Sequence, residues 1–317
     1  MLSNRNIYEK RKRKKEKKKK IKLDSKETLN IASSEDKKEE ATTCEEFSDV
    51  NSHHHFKLLK KLLIIVICLV IFIRFYGVSQ IVTKEYSIID NNIPTGFDGM
   101  KIVQMSDIHY GTTINETSLK KIVNKVNELK PDIIVFTGDL VDKSINPTDK
   151  IKAEITVNLS KIEANIGKFA ILSDEDSKNS YSSDLITNSG FTLLNNESKL
   201  IYNNDIDPIE LVGITSLPST IKTSANYKIA LIHKPDDADN IINDNYNIIM
   251  SGHSHGGIIK LPYIGGLINI KGAKKYHNDY YNLGNTKLYI SSGLGTSNIN
   301  FRMFNQPSIN LYRFYKE

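Results

Sequence analysis

The segment KIVQMSDIH, residues 101–109, is the most informative stretch of this chain. It is a mainly aliphatic run that ends in Asp107 and His109. Three other runs end in the same way: Ile133 to Thr137 precedes GDLVD (138–142), Ile229 to Ile232 precedes His233, and Ile248 to Ser251 precedes GHSHGG (252–257). Carboxylates and imidazoles held by several buried strands are suitable ligands for two transition-metal ions, because strands hold them rigidly and one aspartate can bridge. One D-x-H alone would be weak evidence, but four such pieces together predict a dinuclear site.

The spacing of apolar residues predicts an α/β fold. A helical pattern lies between the first two runs and stops before Pro131; it consists of Leu119, Ile122, Val123, Val126 and Leu129. Strand, helix and strand in this order form a βαβ unit, whose ligand candidates lie just beyond the strand carboxyl ends. Further strands are predicted around Phe169–Leu172, Ile209–Ile214, Ile229–Ile232, Ile248–Ser251 and Leu288–Ser291, with fewer helices in the second half.

Charge and cysteine content exclude several functional classes. The chain has 317 residues and a net charge of +6, but residues 1–61 contain 18 Lys/Arg and 11 Asp/Glu, against 25 and 26 in the remainder. The globular part is therefore nearly neutral, which argues against nucleic-acid binding by a basic face. Cys44 and Cys68 both precede the globular part, so a disulfide framework and a thiolate metal site are excluded there.

Residues 1–56 form a polar tail that is rich in Lys, Glu and Ser and contains the basic run Lys10 to Lys22. Such a composition buries too little apolar surface to offset ordering entropy, so it predicts disorder. The basic run is suited to anionic lipid, at about 1 kcal/mol for each basic residue near the surface. A nuclear-localisation or nucleic-acid patch is the competing interpretation.

An apolar run, Leu62 to Ile73, follows the tail. Its twelve residues would rise only about 18 Å as a helix, short of a hydrocarbon core of roughly 30 Å. If Arg74 snorkels to the interface, the span extends to about Val82, which predicts one transmembrane anchor over residues 57–82. Three lysines on its N-terminal side predict a cytoplasmic N-terminus and an extracytoplasmic domain over residues 83–317. A buried core helix and a cleaved signal peptide are the alternatives.

The motifs SDIH, FTGDLVD, the strand before His233, and SGHSHGG resemble those of the calcineurin-like metallophosphoesterases: D-x-H, G-D-x-x-D, H and G-H-x-H. The match runs from about Phe97 to the end, and GFDGMKIVQMSDIHYG, LPYIGGL and LYISSGLGTS resemble the membrane-anchored bacterial branch. The resemblance implies a layered αββα sandwich and hydrolysis of phosphoester or pyrophosphate bonds by a hydroxide that two divalent ions (Mn, Fe or Zn) activate.

The resemblance also implies roles for individual residues. Asp107, His109 and His255 would hold the first metal, and Asp139 would bridge the two. The second metal would be held by His233, His253 and Asp174. Asp142 would orient ligands rather than bind metal.

One motif departs from the family pattern. Residues 173–176 read SDED where the family has G-N-H-D/E. Asp174 replaces a neutral ligand, and Glu175 replaces an imidazole that stabilises or protonates the leaving group. Two hypotheses follow. The chain is a membrane-anchored phosphoesterase, with Glu175 as the altered catalytic residue, acting on lipid-linked or membrane-proximal phosphoesters or pyrophosphates. Alternatively, it is a catalytically impaired metal-binding surface domain with a scaffold or ligand-binding role.

Overall fold

The computed structural model describes residues 13–19, 55–68, 71, 80–218, 221–257, 260–261, 265–266, 270–297 and 302–317. These residues divide into two units, Met1–Leu69 and Val70–Glu317. In the first unit, residues 13–19 and 55–68 are helical. No helix within the described ranges combines the length and the apolar character that crossing a membrane requires. Most of the predicted tail and much of the predicted anchor lie outside the described residues.

The second unit is built on two six-stranded sheets. In spatial order the first sheet contains β1 (Val82–Ile89), β14 (Ser308–Tyr315), β2 (Lys101–Met105), β3 (Ile133–Phe136), β4 (Gly167–Ala170) and β5 (Thr192–Leu193). The second contains β12 (Tyr280–Leu283), β13 (Thr286–Ile290), β9 (Ile248–Ser251), β8 (Tyr227–Leu231), β7 (Ile209–Gly213) and β6 (Glu197–Ile201). A two-stranded ladder pairs β10 (Lys260–Leu261) with β11 (Gly265–Gly266).

Strand direction brings the predicted ligands to a common edge in each sheet. Strands β2 to β5 are parallel, while β14 is antiparallel to β2 and parallel to β1. In the second sheet β13, β9, β8 and β7 are parallel, with β12 and β6 antiparallel at its edges. The loops that follow parallel strands leave a sheet at one edge, where open α/β sheets place their sites.

Apolar clusters define the layers. Side chains such as Ile102, Val135 and Ile229 fill the space between the sheets. The opposite face of the first sheet packs against three helices through residues such as Val103 and Ile134: α1 (Glu116–Glu128), α2 (Asp149–Ser160) and α4 (Ser180–Asn188). The outer face of the second sheet packs against α5 (Ala238–Ile241). The predicted α/β sandwich is therefore confirmed.

The predicted elements are close to the observed ones. Helix α1 begins after Asn115, whose side chain accepts a 3.0 Å hydrogen bond from the Ser118 amide, and ends before Pro131. Strand β9 has the predicted bounds, and the other predicted strands differ by one or two residues at an end. Strands β1 and β14 and helices α2 and α4 were not predicted.

Candidate metal centre

Six predicted ligands form two groups. Asp107, His109 and His255 form the first, and Asp139, His233 and His253 the second. Within each group, one potential ligand atom from each residue lies within 4.8 Å of the others. All six residues lie in the loops that follow β2, β3, β8 and β9, so the sheets determine where they meet.

Asp139 lies between the two groups. Its Oδ2 is 3.4 Å from His109 Nε2 and 3.3 Å from His233 Nε2, so one carboxylate oxygen faces a histidine of each group. Burial raises the pKa of Asp139, but the charges and hydrogen bonds of the neighbouring imidazoles outweigh burial and hold that pKa below its usual range. An ionised, buried carboxylate in this position can bridge two cations.

The second group has the hydrogen-bond pattern of metal-binding histidines. A carbonyl oxygen can only accept, so His233 Nδ1 donates to Thr137 O at 2.8 Å and His253 Nε2 donates to Lys271 O at 2.8 Å. In the neutral rings this leaves lone pairs on His233 Nε2 and His253 Nδ1, which face each other at 3.1 Å. Two lone pairs repel at this distance unless a proton or a cation lies between them. The donor set therefore fits a divalent transition metal.

Burial and the Asp139 charge act in opposite directions on these imidazoles. Burial lowers the pKa of His233, but Asp139 outweighs burial and the pKa is raised to about 10. The pKa of His253 is lowered by burial and by the neighbouring His233. In the first group, burial lowers the pKa of His255 to about 3. When no metal is bound, the additional proton of the second group therefore lies on His233, between Asp139 and the lone pair of His253.

The first group is similarly compact. His109 Nε2 and His255 Nε2 are 3.3 Å apart, and His109 Nδ1 is 3.4 Å from Asp142 Oδ2. Asp142 thus lies on the far side of the His109 ring from the cluster, as expected for a carboxylate that orients a ligand. Both carboxylate oxygens of Asp107 accept from the amide of His253, each at 3.0 Å, which links the first group to the loop of the second.

The backbone of the site is strained. Five of its residues have left-handed φ angles: 51° at Asp107, 44° at His109, 62° at Asp139, 65° at His253 and 46° at His255. Non-glycine residues adopt this region rarely, at a cost of order 1–3 kcal/mol each, and such residues concentrate at functional sites. Gly252 is required for space, because a Cβ there would lie 2.5 Å from Asp107 Oδ2.

Asp176 supports the bridging residue and was assigned no role from the sequence. Its buried carboxylate accepts from the amides of Asp139 at 2.7 Å and Leu140 at 3.1 Å, and Ser173 also donates to it. Burial, and then the Asp139 charge, raise the pKa of Asp176. The D/E position of the altered G-N-H-D/E motif is therefore still occupied by a carboxylate, and this residue of α3 (Asp174–Ser177) holds the loop of Asp139.

Arg302 is a second supporting residue, and no sequence motif contains it. It is fully buried, donating through Nη1 to Ser292 O at 2.6 Å and through Nη2 to Gly295 O at 2.5 Å. The same Nη2 lies 3.3 Å from His255 Nδ1. Arg302 therefore ties the loop after β13 to a predicted ligand. No local pattern around residue 302 could have indicated this contact.

The two replaced motif positions lie outside both groups. Asp174 is exposed, and its carboxylate forms an ion pair with the ammonium group of Lys234. Glu175 accepts a 2.9 Å hydrogen bond from Lys178 Nζ at the surface. The structure thus brings together six of the seven predicted metal ligands. Asp174 and the predicted catalytic residue Glu175 instead pair with lysines.

Comparison with known proteins agrees with this geometry. A family model described as calcineurin-like phosphoesterase matches residues 100–257. The uncharacterized metallophosphoesterase YkuE of Bacillus subtilis is 33% identical, over 76% of this chain and 88% of YkuE. The UDP-2,3-diacylglucosamine pyrophosphatase LpxG of Chlamydia trachomatis is 26% identical, over 54% of this chain and 69% of LpxG. A Danio rerio transmembrane protein with metallophosphoesterase domain is 25% identical, over 68% of this chain and 53% of that protein.

The chain belongs to the calcineurin-like phosphoesterase family, whose members are metal-dependent hydrolases of phosphoester bonds. The predicted family and enzyme class are confirmed. The family uses two metal ions, and the two groups of ligand candidates agree with that number.

Proposed function

We propose that this chain is a membrane-anchored phosphoesterase that hydrolyses phosphoester or pyrophosphate bonds with two divalent transition-metal ions, Mn, Fe or Zn. The observation that supports this best is the position of Asp139 Oδ2, which faces His109 and His233 at 3.4 and 3.3 Å. Two ions in such a site, when bound, lower the pKa of a shared water and neutralise charge on the phosphoryl oxygens.

The chain's own residues have separate tasks in this proposal. Each group would hold one ion, and Asp139 would be a ligand of both. Thr137 O and Lys271 O fix the tautomers of His233 and His253, so that each imidazole would offer a lone pair to an ion in the second group. Arg302 and the other supporting residues keep the loops in place, so little reorganisation is needed when a phosphate binds.

Asp174 and Glu175 determine how far the chemistry differs from that of relatives with an intact motif. Asp174 is paired with Lys234, so it would have to leave that lysine before it could act as a metal ligand. The Glu175 side chain is 45% exposed and is paired with Lys178 at the surface, which argues against a role as the proton donor to the leaving group. We therefore propose a working hydrolase that favours leaving groups which need no proton.

The proposed substrate is a lipid-linked or membrane-proximal phosphoester or pyrophosphate. LpxG, a relative by sequence, carries the name of a pyrophosphatase for a diacylated sugar nucleotide. The apolar run Leu62 to Ile73 and the lysines before it support a single anchor with the N-terminus in the cytoplasm. The Danio rerio relative is also named as a transmembrane protein.

The second candidate function is a catalytically impaired metal-binding domain with a scaffold or ligand-binding role. The observation that favours it is the surface pairing of Glu175 with Lys178, which leaves the imidazole of the family motif without a replacement.

The deciding experiment measures metal content and hydrolysis of bis(4-nitrophenyl) phosphate on the same full-length preparation. Two metal equivalents with metal-dependent turnover support the proposal. Two equivalents without turnover support the impaired domain, and absence of bound metal contradicts both.

A further inference from the structure

A buried amide lies between the two sheets, next to the metal centre. Gln104 belongs to β2, three residues before Asp107, and its side chain is fully buried. It lies two residues from Ile102, which fills the space between the sheets, and alternate residues of a strand share one face. Gln104 therefore points into the space between the sheets, where a polar group costs free energy unless it is hydrogen-bonded.

The Gln104 amide has a partner at each of its four hydrogen-bonding positions. Its Nε2 donates to Thr137 Oγ1 at 3.1 Å and to Ser251 O at 2.9 Å. Its Oε1 accepts from the Tyr312 hydroxyl at 2.6 Å and from Asn310 Nδ2 at 3.4 Å. A carbonyl oxygen can only accept, so the contact with Ser251 O identifies the end of the amide that carries the hydrogens. The side chain is therefore held in one orientation.

Both acceptors of this amide lie immediately before loops that carry predicted ligands. Thr137 follows β3, two residues before the bridging aspartate, and its carbonyl accepts from His233 Nδ1 at 2.8 Å. Ser251 ends β9, two residues before His253. Gln104 itself lies on β2. One side chain thus joins the ends of three ligand-bearing strands, and Thr137 links it to the ligand that follows the fourth.

Each group of ligand candidates combines residues from both sheets. In the first group, His255 follows a strand of the second sheet and the other two residues follow a strand of the first. In the second group, Asp139 follows a strand of the first sheet and the two histidines follow strands of the second. The distances within both groups therefore depend on the separation of the sheets at this edge. The hydrogen bonds from Gln104 to Thr137 and Ser251 span that separation.

We propose that Gln104 is a positioning residue that sets the separation of the two sheets at the metal centre, and with it the distances between the ligands of both ions. This inference rests on the proposed function, because it assigns Gln104 a task in holding the two proposed ions. Replacing a residue that orients metal ligands without binding metal typically costs 10–100-fold in metal affinity or activity.

The test is a calorimetric titration of the metal-free full-length protein with Zn²⁺. Gln104→Leu removes the amide at similar side-chain size, so we expect it to weaken both binding steps about 10–100-fold. Thr137→Val removes Oγ1 but keeps the carbonyl that holds His233, and should weaken binding less. The double variant should bind within about threefold of Gln104→Leu alone, because Oγ1 contributes to this network through Gln104. Fully additive losses would contradict that link.

A matched control separates positioning from loss of stability. Glu210→Gln removes a buried carboxylate that accepts from two backbone amides, and Glu210 belongs to neither ligand group. It should lower the free energy of unfolding and leave both Zn²⁺ binding steps unchanged. The visible spectrum of the Co²⁺-loaded protein, which depends on coordination geometry, should change in Gln104→Leu and stay as in wild type in Glu210→Gln.

A milder variant decides the question if Gln104→Leu does not fold. Tyr312→Phe removes one donor to Gln104 Oε1. Zn²⁺ binding that is about threefold weaker in this variant supports the proposal, and wild-type binding overturns it.

The remaining outcomes distinguish the positioning role from the proposed function. Wild-type Zn²⁺ affinity with an unchanged Co²⁺ spectrum in Gln104→Leu would overturn the positioning role, and so would an equal loss of affinity in Glu210→Gln. Metal binding that depends on Gln104, without hydrolysis of bis(4-nitrophenyl) phosphate by wild type, would contradict the proposed function alone. Hydrolysis with metal binding that does not depend on Gln104 would contradict the positioning role alone. Wild type that binds no metal would contradict both.

Discussion

The carboxylate of Asp174 is paired with the ammonium group of Lys234, the residue that follows the predicted ligand His233. The stem of Lys234 lies against Gly272, whose neighbour Lys271 accepts the hydrogen bond from His253 through its carbonyl. The ion pair therefore lies beside the second metal group without belonging to it. A cation bound by His233 and His253 would compete with Lys234 for the Asp174 carboxylate.

This competition predicts opposite effects of two substitutions on the second metal. Lys234→Ala should raise affinity for that ion severalfold, because it frees Asp174 and removes a positive charge. Asp174→Ala should lower it. When Asp174 is already alanine, Lys234→Ala should change the metal affinity only by removing a positive charge. A metal titration of wild type, both single variants and the double variant measures the coupling. If the two effects are simply additive, Asp174 does not become a ligand.

Metal binding should depend sharply on the residues at the centre. Asp139→Asn is expected to reduce the content of both ions, since its carboxylate faces both groups, and His253→Ala should reduce the second ion alone. Removing one ligand shared by two cations leaves several like charges close together, so the loss should exceed tenfold in affinity. Elemental analysis of the purified full-length protein measures it. His277→Ala is the control, because His277 belongs to neither group. Full occupancy in the Asp139→Asn, His253→Ala double variant would refute the ligand assignment.

The replacement of the G-N-H-D/E motif at Asp174 and Glu175 predicts that the rate of hydrolysis depends strongly on the leaving group. Proton transfer to a leaving oxygen contributes about 10²–10⁴-fold, and acidic phenols need it least. Wild type should therefore cleave aryl phosphodiesters much faster than alkyl ones. The double variant Asp174→Asn, Glu175→His should raise kcat for alkyl esters the most. The comparison is the ratio of kcat/KM for the two ester types in both proteins. If wild type already hydrolyses alkyl esters at ordinary enzymatic rates, and the double variant hydrolyses them more slowly, Glu175 is itself the general acid.

Glu210, which is not part of the metal centre, should make the free energy of unfolding depend on pH. Its Oε2 accepts from the amides of Ser224 at 2.7 Å and Ala225 at 2.9 Å. Burial raises the pKa of Glu210, but these bonds and one from Ser198 outweigh burial, so the pKa is lowered from its ordinary value of 4.5. A lowered carboxyl pKa contributes stability that is present above 4.5 and is lost as the pH falls through the folded-state value.

Glu210→Gln should therefore lower the unfolding free energy at pH 7 by about 1–3 kcal/mol, the typical effect of losing hydrogen bonds to a charged group. The difference from wild type should shrink below pH 4.5. Denaturant titrations at several pH values test this, with Glu197→Gln as a matched control because Glu197 is exposed on the neighbouring strand β6. An equal loss of stability at every pH would contradict the role of the Glu210 charge.

The proposed topology predicts protection of one end of the chain only. In intact cells, protease added from outside should digest the domain that begins near residue 83 and should leave the lysine-rich tail. Immunoblots against a tag at each end follow the two parts, and lysed cells provide the control in which both are digested. A domain that is digested only after lysis would reverse the proposed orientation.

Helix α1 and strands β2, β3 and β9 could be predicted because each has a local pattern: an aliphatic run in each strand, and helical spacing with a stop before Pro131 in α1. Strands β1 and β14 were missed, although they pair along eight residues. Each strand's partner lies at the other end of the domain, and β14 buries the polar residues Ser308 and Asn310, so its composition does not mark it as a core strand. Pairing over that distance in sequence leaves no local signal.

The sequence by itself determined the family, the α/β sandwich and the six residues that form the two groups, because ligands at strand ends are recorded in short motifs with strand patterns before them. Only the tertiary structure decided that Asp174 pairs with Lys234, that Arg302 contacts His255, and that Lys84 and Lys260 share Asp279. The partners in the first pair are 60 positions apart, in the second 47, and Lys84 is 195 from Asp279. Such contacts depend on how loops from two sheets meet, and no local spacing rule encodes that.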